Sequence, residues 1–71
     1  MDLTDTQQAI LALITERIGS EGVPPSQTEI ARAFGIHDSA AHKHLRTLEA
    51  KGALVLLPGR ARGNRLPASA S

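Results

Sequence analysis

Two helix-forming segments meet at a glycine in the middle of the chain, and their spacing constrains the fold more than any other feature. Ser26-Gln27-Thr28-Glu29 opens the first. A serine hydroxyl three residues ahead of a glutamate lets each side chain satisfy an amide donor that the helix leaves orphaned. Ile30, Ala31 and Phe34 then share one face, and Gly35 closes the segment in the left-handed conformation that glycine adopts cheaply. The second segment is expected to start at Asp38 or Ser39, both good N-caps. Ala41, Leu45 and Leu48 form its inner face, and Gly52 stops it. Two helices joined through about four residues, one of them glycine, predict a helix-turn-helix.

The flanks extend this unit. Upstream, Thr4-Asp5-Thr6-Gln7 is a second capping box, followed at helical spacing by Ile10, Leu11, Ile14 and Ile18, with Glu16 and Arg17 left to water. Gly19 and Gly22 are expected to end that helix, and "VPP" forces an extended turn. Downstream, "ALVLL" is a short aliphatic run bounded by Gly and Pro and reads as a strand. "PGRARG" is a turn and "NRL" a shorter returning strand. Phe34, the sole aromatic, is assigned to the core. The expected fold is mainly α with a small β-hairpin: three helices plus a two-stranded antiparallel wing, a winged helix-turn-helix. It should occupy residues 1–66, with 67–71 ("PASAS") the start of a flexible linker.

Charge is divided along the chain. Residues 1–31 carry Arg17 against five acids, whereas 32–71 carry seven bases against Asp38 and Glu49. That polarity suits a polyanionic partner. The chain has 71 residues and no cysteine, so disulfides and cysteine-based zinc sites are excluded. "AILALI" is too short to span a bilayer, and "MDLTDTQQ" lacks a basic signal region. A cytoplasmic protein without membrane contact is expected.

All three histidines fall in "GIHDSAAHKHL", residues 35–45. A metal site needs converging ligands, yet His42 and His44 point about 200° apart on a helix. His37 with His42 supplies only two ligands. Catalysis would need a nucleophile and an orienting group within reach of a histidine base. Ser39 and Asp38 are better explained as caps, and a domain this small offers no cleft. Neither a metal or other cofactor nor a small-molecule substrate is expected. What remains is recognition. The face opposite Ala41, Leu45 and Leu48 carries Ser39, Ala40, His42, Lys43, Arg46 and Ala50, which no core requires. Short side chains let the backbone approach a DNA major groove, and His42 and Lys43 can reach base edges or phosphates. An ordinary solvated helix face would look similar in isolation. The helix-turn-helix spacing, the charge polarity and the arginine-bearing wing together favour DNA.

"LTDTQQAILALI", "GVPPSQTEIARAFGI", "HLRTLEAKGALVLLPG" and "RARGNRL", in this order over residues 3–66, resemble the N-terminal DNA-binding domain of LexA repressors. The resemblance implies a bacterial transcriptional repressor of the DNA-damage (SOS) response that binds palindromic operators in double-stranded DNA as a dimer. It implies phosphate contacts at Ser26, Gln27 and Lys51. Base reading falls on Ser39, Ala40, His42 and Lys43, and a wing contact on Gly59, Arg60, Ala61 and Arg62.

The departure from the family lies in the histidine stretch. Between Gly35 and Leu45 the chain is one residue shorter than the enterobacterial pattern. Its usual Asn and paired Glu are replaced by Ser39, His42 and Lys43, and a proline at the helix start is missing. Losing two acceptors and gaining donors implies an altered operator preference, shifted toward guanine. The family's C-terminal serine–lysine self-cleaving domain has no counterpart in these residues. No enzymatic activity is therefore expected, and pairing should occur on DNA or through that missing domain. The rival functions are a winged-helix protein-interaction module and a regulator without an SOS role.

Overall fold

A computed structural model describes residues 3–57 and 63–67. Three helices, α1 (Asp5–Glu21), α2 (Gln27–Phe34) and α3 (Asp38–Ala50), precede two short strands, β1 (Val55–Leu56) and β2 (Asn64–Arg65). The strands pair antiparallel, Val55 with Arg65 and Leu56 with Asn64. This is the winged helix-turn-helix arrangement expected from the sequence.

Both capping boxes form. Thr4 accepts from the Gln7 backbone N–H while Gln7 Oε1 accepts from Thr4 N at 3.2 Å. Ser26 and Glu29 make the same reciprocal pair at 3.1 and 2.9 Å. The α2 and α3 ends also share one geometry. Gly35 N and Ile36 N reach back to Arg32 O and Ala31 O, and Gly52 N and Ala53 N to Glu49 O and Leu48 O. These are Schellman closures, and they put Gly35 and Gly52 at φ 64° and 78°, where a Cβ would be strained.

Ile10 and Ile14 from α1, Ile30 and Ala31 from α2, and Ala41, Leu45 and Leu48 from α3 bury together with Ala53 and Leu54. The helical spacing of apolar residues thus dictates the core. At roughly 25 cal/mol per Å² of apolar surface removed from water, these side chains supply most of the driving force for folding.

Several local expectations are corrected. Gly19 lies inside α1, which ends only at the left-handed Gly22. Arg17 is not left to water: its guanidinium lies 3.7 Å from Glu29 of α2 and 3.9 Å from Glu21. Neither Asp38 nor Ser39 caps α3. The N-cap is His37, without a side-chain cap bond, and the α2–α3 turn is three residues, Gly35 to His37. The Asp38 carboxylate instead accepts from Thr28 Oγ1 at 3.3 Å. As the first residue of α3 it also complements the helix dipole. Phe34 is half-buried against the core rather than within it, because it ends α2 where the chain turns away. Of "ALVLL", only Val55 and Leu56 are strand. Ala53 N is taken by the α3 closure, and Ala53 and Leu54 are buried in the core.

Candidate nucleic-acid interface

Burial of Ala41, Leu45 and Leu48 fixes the rotation of α3, so the opposite side of the helix faces outward. Ser39, His42, Lys43 and Arg46 are exposed there, and Ala40 is half-buried. The first turn of this face has small side chains, and its next turn carries two cations. Arg46 Nε lies 3.6 Å from Glu49 Oε1, a solvent-exposed pair worth about 0–1 kcal/mol and easily exchanged for another anion. Lys51 is exposed just past the end of α3.

The N-terminus of α2 abuts this face. Ser26 and Gln27 are half-buried. The capping box uses Ser26 N and Glu29 N, whereas the Gln27 side chain crosses to α3. Gln27 Nε2 donates to the Asp38 carbonyl at 3.1 Å, and its Oε1 lies 3.1 Å from His42 Nδ1. Thr28 makes the neighbouring link to Asp38. Four side chains at the α2–α3 junction therefore hold the start of α3 in a set orientation.

The histidines diverge, as their spacing requires. His42 leans toward α2 and Gln27, and His44 toward α1, where its Nδ1 meets Gln7 Nε2 at 3.4 Å. Among the described residues no three His, Asp or Glu side chains are arranged to hold a metal ion. No helix among them is long and apolar enough to cross a membrane.

Gly59, Arg60, Ala61 and Arg62, the expected wing contacts, lie outside the described residues. The base of the wing is described. Leu57 N donates to Gly63 O at 2.8 Å, and the Asn64 side chain is 3% exposed. Asn64 Nδ2 donates to Pro25 O at 3.0 Å, joining the wing to the entry of α2. Its Oδ1 is buried without a partner among the described residues. Sequence reading missed Asn64, and it missed the Gln27 and Gln7 links. A single amide in "GNRL" carries no periodicity, and a glutamine that completes a capping box is already explained.

The model of the LexA DNA binding domain matches residues 1–63. The chain is 65% identical over 72 residues to a LexA repressor of Xanthomonas campestris, covering 100% of the chain and 34% of that relative. It is 69% identical over 67 residues to a LexA repressor 2 of Xanthomonas oryzae pv. oryzae, covering 93% and 32%. A LexA repressor of Xylella fastidiosa is 57% identical over 67 residues, again covering 93% and 32%. The chain thus spans about a third of the length of the curated relatives it matches. With three helices, a paired wing and an outward cationic face on α3 all in place, the chain belongs to the LexA DNA-binding domain family.

Proposed function

We propose that this chain is the operator-binding module of a LexA-like repressor of the DNA-damage response. It lays α3 in the major groove of double-stranded DNA. Ser39, Ala40, His42 and Lys43 meet base edges, and Arg46 and Lys51 neutralise phosphates. Ser26 and Gln27, at the dipole-positive start of α2, stand beside the same strand. Gly59, Arg60, Ala61 and Arg62 give the wing its backbone contact. Two copies bind a palindrome, paired on DNA or through a further domain of the kind that completes the longer relatives. The chain acts by binding and not by catalysis, in the cytoplasm on the nucleoid. Residues 1–66 form the binding domain, and 67–71 begin a linker.

The observation that carries this reading is the division of α3. Ala41, Leu45 and Leu48 are buried, whereas Ser39, His42, Lys43 and Arg46 are exposed. Chemical-shift mapping with a duplex containing a selected palindrome tests it. Perturbations should cluster on α3, the α2 start and the wing. No perturbation on α3 or the wing would contradict it and leave the protein-interaction module as the reading.

A further inference from the structure

Gln27 and His42 are joined in a way that fixes which ring nitrogen of His42 can meet a base. The Gln27 amide is oriented by its own donation, since Nε2 is 3.1 Å from the Asp38 carbonyl, which can only accept. That leaves Oε1, also purely an acceptor, facing His42 Nδ1 at 3.1 Å. A carbonyl oxygen opposite a ring nitrogen requires the proton on that nitrogen. A neutral His42 is therefore the Nδ1–H tautomer, and Nε2 is left as a lone-pair acceptor on an exposed side chain.

We infer that Gln27 is a specificity-positioning residue. By holding the Nδ1–H tautomer, it makes neutral His42 accept from a base amino group in the major groove, adenine N6 or cytosine N4. Guanine presents only the acceptors N7 and O6 along that edge, so it is disfavoured. The donor character expected of His42 from sequence alone is spent inside the protein. This inference rests on α3 being the reading helix, and it gives Gln27 a task distinct from touching phosphate.

The test combines a spectroscopic and a binding readout on the 71-residue chain. Long-range proton–nitrogen NMR at pH about 8, where an ordinary imidazole is neutral, should show the His42 proton on Nδ1. In Gln27→Ala it should move largely to Nε2, the form favoured by a free imidazole. Site selection from randomised duplexes at the same pH should enrich adenine or cytosine at the His42 position. Gln27→Ala should shift that position toward guanine by roughly tenfold, the scale of one base-edge contact. A neutral wild-type ring protonated at Nε2, or guanine preferred at pH about 8, overturns the assignment. An Nδ1–H ring in a chain that binds no duplex DNA overturns the reading-helix proposal beneath it, leaving Gln27 as a structural link only.

Discussion

Gln7 of α1 completes its own helix cap and touches His44 of α3 with the same side chain. Oε1 accepts from Thr4 N at 3.2 Å while Nε2 faces His44 Nδ1 at 3.4 Å. The amide orientation is thereby set at one end, and the His44 ring must offer a lone pair at Nδ1. One buried residue, 7% exposed, starts α1 and fixes it against α3.

Gln7→Ala should therefore destabilise the fold by about 1–2 kcal/mol, a cap contribution plus a long hydrogen bond. For a domain of this size each kcal/mol lowers Tm by about 4–8 °C. Gln8→Ala is the control, because Gln8 is exposed and its Nε2 donates to Leu3 O at 3.3 Å, a weak contact at the surface. Equal effects in a thermal melt would show that the Gln7 link contributes nothing.

Asn64 yields a prediction about the wing. Asn64→Ala removes the donor to the buried Pro25 carbonyl, which should cost about 1–3 kcal/mol. Asn64→Asp should be worse at neutral pH, since it sets a carboxylate against that carbonyl in a buried site. Burial and the carbonyl would raise the folded-state pKa of that aspartic acid above its unfolded value. Its stability penalty is then largest at high pH and shrinks as pH falls and the acid can donate. Denaturant melts of both variants at about pH 7 and pH 4 check the order.

The sequence carried the helices and core plainly because those depend on periodic signals. The capping boxes form in α1 and α2, and apolar residues at spacings of three and four with a left-handed glycine past the last turn mark all three helices. Boundaries depending on competition were less legible. Asp38 could cap α3 or turn to Thr28, and only the packing of α2 against α3 decides that. Ala53 could begin a strand or close α3, and it does the latter. At the candidate interface, the outward placement of Ser39, His42, Lys43 and Arg46 follows from the burial of Ala41, Leu45 and Leu48. The Gln27 bridge joins residues fifteen apart by amide geometry, which no pattern of residue types announces.

Arg60→Ala and Arg62→Ala should each weaken binding to specific and random DNA alike, because phosphate contacts carry no sequence information. Each loss should lower the slope of log affinity against log salt by about one unit. Fluorescence titrations across a salt series measure this. A variant with altered site preference but unchanged affinity for random DNA would assign that arginine to base reading instead.

The chain should be mainly monomeric without DNA and should occupy a palindrome as two copies. Its large exposed apolar side chains among the described residues are Val23 and Val55. They lie on the loop before α2 and on β1, too little to hold a stable dimer of ordinary interface size. Sedimentation with and without a palindromic duplex distinguishes this from a tight dimer formed in solution.

In-vitro selection of duplex sites by the wild type, His42→Ala and Lys43→Ala tests whether the outward face of α3 reads base edges. Neither residue belongs to the buried set, so Lys43→Ala should melt like the wild type, and His42→Ala should fall in stability by no more than about 1 kcal/mol for its exposed hydrogen bond to Gln27. Each should lose preference at its own position by about 1–3 kcal/mol while keeping preference elsewhere in the half-site. Site preferences unchanged in both variants would contradict the account.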